Sequence, residues 1–138
     1  MTPALLNLAR RYMALPGFIW RTGMLAIPDD GENYAGWCRI LRAADDGHVT
    51  SWTDEDGEIL TDDDGPFETY ARLVPCLTDD ATGGVMLARL PGRPAVLMRG
   101  DMVHIEAEGA SGFLVDGQSG ATLAEAVARV AVALGRAG

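Results

Sequence analysis

Leu5, Leu8, Ala9 and Tyr12 recur at the spacing of one helical face, and Leu15-Pro16-Gly17 closes the run. Thr2 offers a capping hydroxyl and Pro3 suits a first turn, so the chain predicts an opening helix whose apolar stripe lies on a sheet. Phe18 to Ile27 is aromatic and β-branched, ends at Pro28-Asp29-Asp30-Gly31, and predicts a strand. Short alternating runs then follow at Trp37 to Ala43, His48 to Thr53 and Glu58 to Thr61, divided by Asp45-Asp46-Gly47 and Asp54-Glu55-Asp56-Gly57. Asp-Gly turns between alternating runs are the strongest local hairpin signal, so these segments and the preceding strand predict an antiparallel meander of about four strands.

Asp62-Asp63-Asp64-Gly65-Pro66 interrupts the pattern, and Phe67 to Val74 fits a strand or a helical turn equally well. Thr78-Asp79-Asp80 sets a helix start, with a capping hydroxyl and two carboxylates facing the positive end of the dipole. That helix should run to Leu90 and stop at Pro91-Gly92. Gly83 and Gly84 within it cost about 1 kcal/mol each relative to Ala, so either a neighbour packs close there or the helix is marginal. Strands are expected at Ala95 to Arg99, Met102 to Ala107 and Gly112 to Asp116, joined by Gly100-Asp101 and Gly109-Ala110. Thr122 with Glu125 forms a capping box before Leu123, Ala126, Val127, Val130, Ala131 and Leu134, which draw one apolar helical face. Helix, meander, helix, three strands and helix make an α+β domain, with about three helices on one side of an antiparallel sheet.

The 138 residues fit a single domain spanning 1–138, and 48% hydrophobic against 22% charged residues is the balance of a chain that folds. No apolar run is long enough for a membrane span, and Met1-Thr2-Pro3 lacks the basic and apolar regions of a signal peptide, so the expected location is the cytoplasm and no membrane partner is expected. Cys38 and Cys76 are too few for a disulfide scaffold and read as reduced core residues.

Charge changes the picture more. The 11 basic residues are all Arg, as GC-rich coding favours, and stand against 20 acidic ones for a net charge of −9. The first 28 residues hold Arg10, Arg11 and Arg21 and no acid, whereas from Asp45 to Glu68 there are ten acids and no Arg. A field of that sign repels phosphates, which argues against direct nucleic-acid binding and leaves a basic protein surface or a cation as natural partners.

Three islands carry a resemblance. Leu15-Pro16-Gly17-Phe18-Ile19-Trp20-Arg21-Thr22-Gly23-Met24-Leu25 resembles the LPG-aromatic-x-W-x-x-GML opening of small accessory proteins in phages and prophages of GC-rich bacteria. Pro75 to Gly84 is similar to their P-D-L-T-D-P-A-T-x-G segment, and Gly120 to Ala126 to their closing G-x-T-x-A-E-A helix. The chain departs from the pattern at Ile19, Thr22, Cys76, Asp80 and Gly84, and its acidic middle is not shared. The resemblance implies a viral origin and transfers no catalytic residue.

The acidic turns invite a calcium reading, but aligning Gly57 or Gly65 with the sixth position of an EF-hand loop puts Trp52 or Leu60 at the first, where a carboxylate is required. Solvated hairpin turns are the plain explanation of these acids. A functional acidic surface is the sharper one, and its candidate partner-binding residues are Asp54, Glu55, Asp56, Glu58, Asp62, Asp63 and Asp64, with Trp52 as an aromatic anchor. Trp20, Trp37 and Trp52 fall one per early strand, as a core cluster would if they share a face. Arg10, Arg11 and Arg21 should flank the sheet, where they could pair with the acidic turns.

Gly117-Gln118-Ser119-Gly120, read as a connector before the last helix, lacks the second glycine of a nucleophile elbow, since Ala121 stands there. His48 and His104, the candidate bases, both sit in expected strands, and Glu125 competes for any anion at the helix start. Without Lys there is neither a P-loop lysine nor Schiff-base chemistry. Cys38, Cys76, His48 and His104 lack the pairwise spacing of a zinc set. No catalytic, cofactor or metal residue is therefore assigned. The expectation is a non-enzymatic phage-type accessory protein that binds a host or phage protein with a basic surface, in its sharpest form by imitating nucleic-acid charge against a host defence or DNA-processing protein. The alternatives are a virion assembly protein and a small ligand-binding or enzymatic domain built on Gly117 to Thr122 with His104.

Overall fold

The computed structural model describes residues 1–29, 36–67, 72–108 and 114–138. Helix α1 (Pro3–Met13) starts where Thr2 accepts a hydrogen bond from the Leu5 N–H at 3.2 Å, and it buries Leu6, Leu8, Ala9 and Tyr12. Strands β1 (Leu25–Pro28), β2 (Cys38–Ala43), β3 (Val49–Thr53) and β4 (Ile59–Thr61) follow, then a 3-10 turn at Asp62–Asp64 and β5 (Leu73–Pro75). Helix α2 (Asp80–Arg89) leads to β6 (Ala95–Arg99), β7 (Met102–Glu108), β8 (Leu114–Gly120) and helix α3 (Leu123–Leu134).

The fold is α+β, with the strands in two antiparallel sheets rather than one. The first has the order β4-β3-β2-β1-β5 and the second β6-β7-β8. The expected meander of about four strands is β1 to β4, with Leu25 opposite Arg39, Ile40 opposite Trp52 and Trp52 opposite Leu60. Between the sheets' sequences stands α2, which packs on α3, and α3 in turn lies on β7 and β8 and touches α1. A helix buried on several sides needs small side chains around it, and α3 buries Ala124, Ala126, Val127, Ala128, Val130 and Ala131.

That crowding explains the glycine pair in α2. A Cβ on Gly83 would stand 2.7 Å from the Ala124 backbone nitrogen, whereas one on Gly84 would meet nothing within 4 Å. Close packing is thus the reason for Gly83. Gly84 has no such reason.

Several boundaries differ from expectation. Within the Phe18–Ile27 run the strand begins only at Leu25, and Phe18 and Trp20, which precede it, stack edge to face. Tyr12, Phe18, Trp20, Phe67 and Trp52 form an edge-to-face chain with successive ring centroids 5.5, 5.3, 5.7 and 5.2 Å apart. Trp37 precedes β2 and is half-buried, so only two of the three tryptophans share this cluster. The cap of α2 is Asp79, whose carboxylate accepts from the Thr82 N–H at 2.9 Å, rather than Thr78. Phe67 to Val74, left open between two readings, contains the start of β5, while residues 68–71 lie outside the described residues. The last strand extends through Gly117 to Gly120, so that segment is part of a sheet and not a connector.

Candidate functional site

The acidic residues cluster where β4 forms the outer edge of the five-stranded sheet. Antiparallel pairing places the β3–β4 turn at one end of this edge and the β2–β3 turn with the 3-10 turn at the other. At the first end, Asp54 closes its own turn, its Oδ1 accepting from the N–H groups of Asp56 and Glu58, each at 2.9 Å. Glu55 accepts from the Gly36 N–H at 3.0 Å. At the other end, Asp46 accepts from the His48 N–H at 3.0 Å, and Asp64 from the Thr61 N–H at 3.0 Å. Asp62 faces the His48 ring at 3.2 Å. Because β4 has three residues, the two ends lie about 10 Å apart along the strand, close to one Debye length at about 0.1 M salt.

Exposure follows the same layout. Asp45, Asp46, Glu55, Asp56, Glu58, Asp62, Asp63 and Asp64 are exposed and Asp54 is half-buried, while Glu68 lies outside the described residues. Among the described residues, Arg ion pairs join Arg10 to Asp29, Arg39 to Asp79, Arg99 to Glu106 and Arg129 to Glu125, none of them with an acid of residues 45–64. Arg10, expected to be available to the acidic turns, is held by Asp29 instead. The field of the turns reaches their neighbours: the Cys38 thiol is pushed above its ordinary value by burial first and then by the charges of Asp54 and Glu55.

Trp52 corrects the expectation of an aromatic anchor. It is 1% exposed, packed on Phe67 beneath the acidic edge, so it supports that surface from the core and offers a partner nothing. The exposed apolar residue at this edge is Ile59, at 64%.

The opposite side of the fold brings together three residues that spacing alone did not join. His104 on β7 is 5% exposed; its Nδ1 lies 2.8 Å from the Ser119 hydroxyl on β8 and its Nε2 3.3 Å from a Glu106 carboxylate oxygen. A neutral ring donating Nε2–H to Glu106 accepts the Ser119 hydroxyl at Nδ1, which is the connectivity of a base-activated serine. Gly117 makes room for the ring, since a Cβ there would stand 2.2 Å from Nε2. Register supplied this contact: His104 lies directly opposite Ser119, and the pairing of β7 with β8 was the information the sequence lacked. His48 sits at the acidic edge instead, where its ring faces Asp62.

Of the concavities, one of about 320 Å³ is lined by Arg10, Asp29, Trp20, Phe67 and Arg72, and another of about 220 Å³ by Arg11, Gln118 and Arg129 among others. Neither includes Ser119 or His104. The start of α3 is closed to anions, because Thr122 accepts from the Glu125 N–H at 3.1 Å and Glu125 from the Ala121 N–H at 2.6 Å. Among the described residues no group of three or more His, Cys, Asp or Glu side chains is placed to hold a metal ion, and no helix is long and apolar enough to cross a membrane. In comparisons with known proteins, no family model, no curated protein and no solved structure matches this chain.

Proposed function

We propose that this protein acts without catalysis, by binding another protein through the acidic edge at β4. The observation that supports this reading is the exposure of Asp56, Glu58, Asp62 and Asp63 at the two ends of one short strand, with the Arg ion pairs of the described residues formed elsewhere. Carboxylates gathered this way steer a basic partner into contact and make the association fall with salt. The finer form of the proposal is charge mimicry, in which the edge occupies a groove that otherwise holds nucleic-acid phosphates in a host defence or DNA-processing protein. The resemblance to phage accessory proteins favours that form.

Paired baits test it. The wild-type chain and a variant with Asp62, Asp63 and Asp64 changed to Asn are presented to a lysate of a GC-rich bacterium. The proposal expects a protein held by the wild type, released by salt and lost from the variant; if DNA displaces the bait, mimicry is supported. Retention indifferent to both salt and the substitutions contradicts it.

A second reading, a hydrolytic serine, is favoured only by the Ser119–His104–Glu106 chain. Labelling of Ser119 by a fluorophosphonate, abolished in His104→Ala, would support it. Absence of labelling in the wild type retires it.

A further inference from the structure

We infer that the concavity between α1 and β5 is a binding site for a small aromatic carboxylate. Protein interiors are close-packed and leave few voids larger than a water molecule, so an open space of about 320 Å³ against core side chains departs from that rule. Small-molecule sites begin at about this size, with apolar and aromatic walls and a few polar groups that orient the ligand. Both parts are present. Trp20 and Phe67, 6% and 5% exposed, line the space together with Met13, Leu73 and Val74, and Arg10, Asp29 and Arg72 supply its polar groups.

Distant segments of the chain build the site. Arg10 and Met13 belong to the last turn of α1, which packs on β5. Asp29 follows β1, and its N–H donates to the Arg72 carbonyl at 2.9 Å, tying the start of β5 to the end of β1. The Asp29 carboxylate and carbonyl in turn accept from Nε and Nη2 of Arg10, so that guanidinium is held at the cavity with part of its donor fork unused. Trp20 and Phe67 meet edge to face with ring centroids 5.7 Å apart, so both aromatic walls are locked by packing.

Charge and ring chemistry choose the ligand. Arg10 and Asp29 neutralise one another, whereas Arg72 is exposed and forms no ion pair among the described residues, which leaves the lining with one uncompensated cation. A planar guanidinium fork matches a carboxylate and also stacks on aromatic faces. An aryl ring seated against Trp20 and Phe67 gains contacts of the kind these residues already make with each other, and its carboxylate is offered Arg72 and the unused donors of Arg10. An uncharged or cationic arene would leave Arg72 unanswered. The site lies at the β5 edge of the five-stranded sheet, at the other end of the strand order from the acidic β4 edge, so either reading can fail without the other.

Titration of the isotope-labelled full chain with cinnamate, followed by amide chemical shifts, tests the inference. Binding is expected with a dissociation constant below about 1 mM and with the largest shifts among Met13, Asp29, Arg72, Leu73 and Val74. Arg72→Gln, a change at an exposed position, should weaken it at least about fivefold by removing a charge-assisted hydrogen bond. Cinnamamide and cinnamylamine, the neutral and cationic counterparts, should bind the wild type more weakly by at least about the same factor. Met13→Trp, which fills the cavity, should abolish binding; should that variant fail to fold, Arg72→Gln decides the matter. Absence of cinnamate binding up to about 1 mM overturns the inference, as do shifts centred on the exposed Val96, Leu97 and Met98. Binding that survives Met13→Trp, is unmoved by Arg72→Gln or is equal for the three ligands overturns it too.

Discussion

At the outer edge of the first sheet the chain lays down three residues, Ile59 to Thr61, and surrounds them with carboxylates. The outer edge of the second carries five residues, Ala95 to Arg99, whose middle is apolar and unguarded. Both edges present unpaired backbone groups, and both face the same hazard of unintended strand addition. Shortness and like charge make the β4 edge repel another copy of itself, since each copy brings the same acids. The β6 edge has no acid within its five residues and exposes Val96, Leu97 and Met98 instead. The difference teaches that the net charge of −9 is not spread evenly over the molecule's contact surfaces. One edge gathers like charge, whereas the other exposes apolar side chains.

The largest effect is expected where α2 meets the first sheet. Asp79 caps α2, accepts from Arg39 of β2 through both its oxygens at 2.7 and 3.1 Å, and accepts the Thr82 hydroxyl at 2.7 Å. Asp79→Ala should destabilise by about 2–4 kcal/mol in chemical denaturation, combining a lost cap with charge-assisted hydrogen bonds. A loss below about 1 kcal/mol would show that α2 and the first sheet hold together without it. Burial works to raise the Asp79 pKa, yet Arg39 and Thr82 together outweigh it and hold the carboxyl below its ordinary value. With a folded pKa below the unfolded one, the stabilisation is complete above the unfolded pKa and disappears as pH falls through the folded value. Acid titration should therefore destabilise the wild type more steeply than Asp79→Asn.

Gly117→Ala should come next, at about 1–3 kcal/mol, because its Cβ would have to displace the His104 ring. This change should loosen the second sheet while leaving binding through the β4 edge intact. If a partner of the acidic edge loses affinity as well, the two edges are not independent. The neighbouring glycines of α2 sharpen the picture further, since they should respond with opposite signs. Gly83→Ala should cost about 1–2 kcal/mol by crowding Ala124, and Gly84→Ala should gain about 0.5–1 kcal/mol from helix propensity alone. Thermal unfolding of the two variants reads this directly. The smallest effect belongs to the acidic edge itself. Changing Asp62, Asp63 and Asp64 to Asn should alter stability by no more than about 0.5 kcal/mol, because all three are exposed and Asn keeps an acceptor oxygen for the Thr61 N–H that Asp64 holds. A large loss would make these residues structural.

The helices were legible because their signals are local. Thr2 and Thr122 cap α1 and α3 as their spacing from Leu5 and Glu125 implied. The Asp-Gly turns marked the β2–β3–β4 meander for the same reason. Partnering was not legible, since an alternating run reveals a strand and not its neighbours, so neither the division into two sheets nor the edge position of β6 could be read. Gly117 to Gly120 misled for a physical reason. Its glycines look like turn residues, but Gly117 accommodates the His104 ring and Gly120 the close approach of Ala126, whose backbone nitrogen would lie 2.7 Å from a Cβ. Trp52 was named for its place beside the acids, and only packing reveals that it points the other way.

The binding role of the β4 edge stands or falls on electrostatics, and a titration calorimetry series with a captured partner measures that directly. Between about 50 and 300 mM salt the affinity of the wild-type chain should fall steadily, and the Asp62, Asp63 and Asp64 to Asn variant should start weaker and fall less. Equal affinities with equal salt slopes for the two proteins would contradict the account.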